Sequence, residues 1–183
     1  MHFFEYYFQT IIKYDLINKF QYFNIKKLPR LKKIVLNFNF KSSDVKRLAL
    51  AMVALELITL QKGTLTFTKR SNILLKLKKG EPIGCKIVLK NKNMYLFLFK
   101  ILNEILPKIK NFQGLVFKIN KNNNLKINTV SLKLKNILNF LELEKNYYIF
   151  QNLSFLNVTF VTNQTNINEF IFLFRSFKIT QNK

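Results

Sequence analysis

The sequence predicts an α+β fold: a largely antiparallel β-sheet with helices packed on one face and the opposite face left for a ligand. Three observations carry this. Short segments alternate apolar and polar residues with the two-residue period of a strand. Between them lie segments whose apolar residues recur at helical spacing. The two kinds interleave without a regular βαβ repeat, which argues against a parallel sheet. A length of 183 residues with 49% hydrophobic residues suits one compact domain over 1–183 with a substantial core.

Each element is justified by its own pattern. Phe4 to Phe20 places Phe4, Phe8, Ile11, Ile12 and Ile17 near helical spacing, and Pro29-Arg30 marks a break. In Lys33 to Phe40, one face carries Ile34, Leu36, Phe38 and Phe40, the other Lys33, Val35, Asn37 and Asn39, as in a half-buried strand. Ser43-Asp44 starts a helix that runs to Leu60 and is apolar almost all round, which predicts deep burial. Thr64 to Thr68 is a second strand, with the threonines outward and Leu65 and Phe67 inward. Lys69 to Lys79 is a basic loop or hairpin arm ending at Gly80. Cys85 to Lys90 is a third strand, with Ile87 and Leu89 inward and Lys86, Val88 and Lys90 outward. Asn93 to Leu106 is an amphipathic helix stopped by Pro107. After the polar loop Asn120 to Asn124 come a strand at Leu156 to Thr162 and a last helix, capped by Thr165 or Asn166, through Phe170, Ile171 and Phe174.

Charge narrows the function. Lys and Arg total 31 against 9 acidic residues, a formal charge of +22, which points to a polyanionic partner. The single Cys85 excludes an internal disulfide and a cysteine metal cluster. The single His2 excludes histidine triads and zinc sites, and no catalytic, metal or cofactor site is expected. No phosphate loop, dinucleotide fingerprint or hydrolase motif is present. Glu142 and Glu144 read as a surface pair near a turn, and without an acidic cluster for metal binding an RNA-processing enzyme is disfavoured. The longest uncharged stretch, Asn146 to Asn168, holds too many amides to cross a bilayer, so no membrane span is expected. The N-terminus carries Glu5 and Asp15 and lacks Arg up to Phe20, unlike a mitochondrial presequence. The chain has 27 Lys, 23 Asn, 20 Phe and 19 Ile but only 4 Arg and 4 Gly, the bias of an A/T-rich, organelle-type genome.

If the apolar strand faces bury together, the opposite face shows Lys33, Asn37, Thr64, Thr66, Thr68, Lys86 and Lys90. It is rich in amides, hydroxyls and charge and has no aromatic for base stacking. That chemistry suits helical RNA read by shape and backbone. Lysine acts as a point charge, so most contacts are expected to be phosphate neutralisation with strong salt dependence. Lys69, Arg70, Lys76, Lys78 and Lys79 form the densest basic run, with Leu74 and Leu75 inside it, which favours an arm docked on something. A solvated sheet face and loop is the competing interpretation. The alternative class is a basic peripheral-membrane or chaperone-like interaction protein.

Several ordered motifs resemble one family. They are Leu28 to Asn37; the Gln61-Lys62 turn; Gly80-Glu81-Pro82-Ile83-Gly84-Cys85-Lys86; Met94-Tyr95; Leu106-Pro107-Lys108-Ile109-Lys110-Asn111-Phe112-Gln113-Gly114-Leu115; and Asn157-Val158-Thr159. Together they are similar to the universal large-subunit ribosomal protein number five, which carries 5S ribosomal RNA in the central protuberance. The match is collinear from about Tyr6 to Phe177, with 116–155 divergent. The resemblance implies contact of the sheet with large-subunit rRNA and, where retained, 5S rRNA. It further implies a loop reaching transfer RNA in the peptidyl site, a bridge to the small-subunit head, and neighbouring central-protuberance proteins. Asn37, Gln61, Lys62 and Thr66 fall on positions linked to 5S rRNA, and 69–79 on the tRNA-facing loop. The composition points to a mitochondrial ribosome rather than a plastid one. Asn39, Lys41 and Leu60 stand where the family has glycine, Val88 where it has Thr, and Asn120 to Asn124 where it has a Gly-rich loop.

Overall fold

Five strands form one sheet, in the spatial order 64–67, 82–89, 31–39, 156–162 and 129–134. The computed structural model describes residues 3–40, 42–109, 129–163 and 166–178. The strands are β1 (Leu31–Asn39), β2 (Thr64–Phe67), β3 (Pro82–Leu89), β4 (Thr129–Leu134) and β5 (Leu156–Thr162). The helices are α1 (Phe3–Tyr7), α2 (Lys13–Phe20), α3 (Val45–Thr59), α4 (Asn91–Lys100), α5 (Leu141–Glu144), α6 (Tyr147–Phe150) and α7 (Ile167–Ser176). The fold is α+β with a largely antiparallel sheet, as the alternation predicts. The chain divides into two compact units, residues 35–88 with 133–158 and residues 1–34, 89–132 and 159–183. The loop at Asn120 to Asn124 and the Thr165 cap lie outside the described residues.

In the first unit, α3 begins at Asp44, whose Oδ1 accepts from the Lys46 amide at 3.1 Å and whose Oδ2 lies 3.3 Å from Arg47 Nε. Its inner face buries Leu48, Ala51, Ala54, Leu55 and Ile58 and packs on α5 and α6. The expected all-round burial is not found. Val45, Val53 and Leu57 are exposed, because only one side of the helix is covered. The helix ends at Leu60 in the left-handed conformation, φ 55°, with its side chain 93% exposed.

Pairing of β2 with β3 is antiparallel, with Thr64 opposite Lys86, Leu65 opposite Cys85 and Thr66 opposite Gly84. Directly opposed residues share a face. The threonines and Lys86 therefore lie on one side, Leu65 with buried Cys85 on the other. The inward burial expected of Leu65 and Phe67 fails, since they are 38% and 58% exposed. β2 is a four-residue edge strand, and its register breaks between Thr66 and Phe67. β3 starts at Pro82, three residues earlier than the pattern predicts. At Gly84 the neighbouring strand comes so close that an added Cβ would collide with the Phe38 carbonyl oxygen and lie 2.9 Å from Thr66 Oγ1. Burial pushes the Cys85 thiol up to about 11, partly offset by a hydrogen bond with the Phe38 backbone.

In the second unit, the N-terminal helical run contains a π-helical turn, Phe8–Ile12, between α1 and α2. The wider turn rotates the later residues, so the core takes Phe4, Ile12 and Leu16 while Ile11 is exposed. Helix α4 starts at Asn91 and continues through a second π turn, Ile101–Ile105, just before Pro107. It buries Met94, Phe97, Leu98, Ile101 and Ile105. In the aromatic core, the Phe4 ring meets those of Phe99 and Phe177 edge-on at 5.7 and 5.9 Å, and Phe174 meets Phe160 and Phe170. Helix α7 begins at Asn166 and holds the buried Glu169, whose two oxygens accept from Tyr22 Oη and Asn166 Nδ2, each at 2.6 Å.

Unfolding measurements check the strained and buried positions. Gly84→Ala costs about 1–3 kcal/mol, measured by urea unfolding, because a backbone carbonyl cannot swing aside as a side chain can. Leu60→Gly raises stability by about 1 kcal/mol in the same assay, since the left-handed cap strains any Cβ. The Cys85 thiol keeps its proton in the folded chain after the unfolded chain has lost its own, so its stabilising contribution is whole below pH 9.0 and fades toward about 11. The stability difference between the native chain and Cys85→Ala is therefore expected to shrink across that interval.

Candidate nucleic-acid interface

The polar side of the first unit is built by strand alternation. Leu36, Phe38, Cys85 and Ile87 turn into the core, which forces Asn37 and Lys86 to the other side. Cross-strand pairing brings Thr64 and Thr66 onto the Lys86 side. Thr64 Oγ1 donates to the Lys86 carbonyl at 3.2 Å, while the Lys86 side chain stays exposed. Asn37 is half-buried, and its Oδ1 has no hydrogen-bond donor. Gln61 and Lys62 are exposed in the turn between α3 and β2. The face thus joins a lysine and two threonine hydroxyls to an amide oxygen that still lacks a donor. Such groups can meet sugar hydroxyls and phosphate oxygens without stacking on a base.

Lys33 and Lys90 belong to the second unit. Lys33 is half-buried in β1, and Lys90 is exposed at the N-terminal boundary of α4.

Thr68, expected on the outward face, is instead buried and closes the base of the arm. Its hydroxyl donates to the Lys78 carbonyl and accepts from the Glu81 amide at 3.1 Å. Its own amide donates to the Glu81 carbonyl at 2.9 Å, and Gly80, at φ 87°, donates to the Thr68 carbonyl at 3.1 Å. Glu81 Oε2 accepts from the Lys78 amide at 3.1 Å. Nearer the tip, Asn72 and Leu77 exchange backbone hydrogen bonds of 2.9 and 3.0 Å, and Asn72 Oδ1 accepts from the Leu74 amide at 3.1 Å. Residues 68–81 therefore form a pinned hairpin arm. Lys69, Arg70, Lys76, Lys78 and Lys79 all project into solvent.

Of the two leucines inside the basic run, Leu74 does not dock on its own chain, being 94% exposed beside Ile73 at 93%, whereas Leu75 is 45% exposed and Leu77 turns inward. Charge counting misses Thr68, Asn72 and Glu81, which shape the arm. Asn72 is legible afterwards as a side chain that caps a turn two residues on. The Thr68–Glu81 clamp has no local sequence signature. Among the described residues no group of three or more His, Cys, Asp or Glu could hold a metal, and no helix is long and apolar enough to cross a membrane.

Comparison with known proteins gives the family. Residues 82–180 match the family model for the C-terminus of the ribosomal L5 family. The chain is 37% identical over 179 residues to the large ribosomal subunit protein uL5m of Reclinomonas americana, covering 96% of each chain. It is 36% identical over 173 residues to the uL5c protein of Oedogonium cardiacum, covering 93% of this chain and 92% of that one. Similarity to the uL5 protein of Aquifex pyrophilus reaches 44% over 102 residues, about half of either chain. A match to the family over more than half the chain, and to a relative over nearly all of it, leads to one conclusion: this chain belongs to the ribosomal L5 family, in its organellar form.

Proposed function

We propose that the chain is a structural, non-catalytic constituent of an organellar large ribosomal subunit, binding ribosomal RNA during translation. The observation that carries this is the end-to-end similarity to a protein named for that subunit, in a chain of charge +22. The polar side bearing Asn37, Thr64, Thr66 and Lys86, flanked by Gln61 and Lys62, is the rRNA surface of the first unit. Lys33 and Lys90 add phosphate contacts in the second. Where 5S rRNA is retained, this surface takes it in the central protuberance. Asn37 then receives a ribose hydroxyl as the donor that its amide oxygen lacks.

The arm is the part directed at transfer RNA in the peptidyl site. Five exposed cations on a clamped hairpin give reach without floppiness. The small-subunit head and neighbouring central-protuberance proteins complete the partners of this assignment. The compartment is the mitochondrial matrix. The A/T-rich residue bias and the mitochondrial relative favour it, while the chloroplast relative stands at nearly equal identity.

Purifying the tagged protein from native extract at moderate salt and sequencing its RNA tests this. Large-subunit rRNA with 5S rRNA is the expected result. Large-subunit rRNA alone reassigns the polar face, and no rRNA overturns the proposal in favour of the membrane or chaperone class. Changing Lys69, Lys76 and Lys78 together to Glu lowers peptidyl-site tRNA occupancy, read by footprinting, while subunit association persists. Unchanged occupancy removes the arm from tRNA binding.

A further inference from the structure

The loop between α2 and β1, residues 21–30, belongs to the second unit. It carries the most exposed aromatic ring among the described residues: Phe23 has a relative exposure of 102%, and Ile25 beside it 76%. The neighbouring rings are tied down. The Phe20 ring meets Phe172 edge-on at 5.6 Å, and the Tyr22 hydroxyl donates to Glu169 Oε2 at 2.6 Å. Of the three, Phe23 alone is left open to solvent all round.

The loop is held at both ends. Gln21 turns the chain off the helix in the left-handed conformation, φ 45°, with its amide bonded to the Ile17 carbonyl at 3.1 Å. A 3-10 turn, Ile25–Lys27, follows. There the Lys27 and Leu28 amides donate to the Asn24 and Ile25 carbonyls at 3.0 and 3.2 Å. Asn163 then grips either side of Pro29. Its Nδ2 donates to the Leu28 carbonyl at 2.9 Å, and its Oδ1 accepts from the Arg30 amide at 2.7 Å. A ring carried between two anchored ends costs little further ordering when a ligand meets it.

Charge narrows what that ligand is. Between Asp15 and Asp44 the sequence has seven Lys and Arg and no acid. Lys19, Lys26, Lys27 and Arg30 are all exposed. Lys19 is engaged elsewhere, its Nζ 4.3 Å from the centroid of the Phe172 ring, which leaves Lys26 and Lys27 as the cations nearest Phe23 in sequence. A ring presented among lysines suits a polyanion that also has a flat apolar face. In RNA that face is the base, and it is open to a side chain where the base is unpaired. A membrane surface would ask for a broader apolar face than one ring and one isoleucine on a loop.

We propose that Phe23 is a stacking platform for one unpaired base of an RNA strand, with Lys26 and Lys27 on the adjoining phosphates. This rests on the reading that the chain binds RNA, and it requires neither the arm nor the polar face of the first unit.

The test uses the full chain and two fluorescein-labelled RNAs of equal phosphate count, with anisotropy read at fixed moderate salt. One is an unpaired strand of alternating adenosine and cytidine, the other a fully paired duplex. Phe23→Leu is expected to weaken binding of the unpaired strand at least about fivefold, the scale of one lost base–aromatic stack, and to leave the duplex within about twofold. The native chain holds no tryptophan, so Phe23→Trp places a single reporter at the platform. Its emission is expected to be quenched by the unlabelled strand and not by the duplex. Equal affinity of the native chain and Phe23→Leu for the strand, or unquenched emission in the bound complex, overturns the proposal while leaving general RNA binding intact. Equal losses on strand and duplex assign Phe23 to the fold and also count against it. Emission that shifts to the blue with phosphatidylserine vesicles, without quenching by RNA, gives the loop to a membrane surface and overturns it. Should Phe23→Leu fail to fold by circular dichroism, quenching in folded Phe23→Trp decides. Absence of binding of the native chain to either RNA defeats both this proposal and the RNA-binding function.

Discussion

The close approach of β1 and β3 at Gly84 is the constraint on which the first unit depends. No side chain fits there, so the Phe38 carbonyl, Thr66 and Asn39 crowd around bare backbone. That approach sets which residue of β3 sits where. Cys85 is driven into the core, Lys86 is driven out, and through the next pairing Thr66 is held opposite the glycine. A slip of one residue would exchange every inward and outward side chain. The polar face is thus a by-product of a packing requirement: once Phe38 and Cys85 are buried, Asn37 and Lys86 have nowhere else to go.

Legibility in the sequence followed the strength of the period. β5 lies where its alternation places it, and β1 shows the expected inward set of Ile34, Leu36 and Phe38. Failures occurred where burial depends on something beyond local pattern. The α3 sequence is apolar all round, yet a helix at the surface can cover only one side. In β2 the alternation was right about faces and wrong about burial, because an edge strand has no neighbour to shield Leu65 and Phe67. The π turn shifted the N-terminal helix from Ile11 and Ile17 toward Leu16, an insertion that no window of fixed period detects. At the polar face, residue identities were readable one by one. Tertiary geometry alone revealed the Thr68–Glu81 clamp and the full exposure of Phe23.

Composition bears on physics as well as provenance. The chain is rich in lysine and asparagine and holds only 4 glycines, and at Leu60 a position that suits glycine carries a side chain. Leu60 occupies a left-handed helix cap with an exposed apolar side chain, strained on two counts. Glu169 shows the opposite economy. In a chain with 31 cations, this buried acid takes the Tyr22 hydroxyl and the Asn166 amide as donors. Lysine is left for surfaces, where its hydration is kept.

The short, register-broken edge strand has a consequence for the life of the protein before assembly. An open sheet edge bearing exposed Leu65 and Phe67 invites a second copy to add its own strand. Four residues offer little length for such pairing, the irregularity after Thr66 interrupts it, and Lys62 and Lys69 flank it with like charges that a second copy would have to bring together. Newly made chains therefore repel one another along the edge where they would otherwise polymerise. The same positive flanks set the sign of charge that a partner at this edge must carry, so what keeps copies apart also selects for a polyanion.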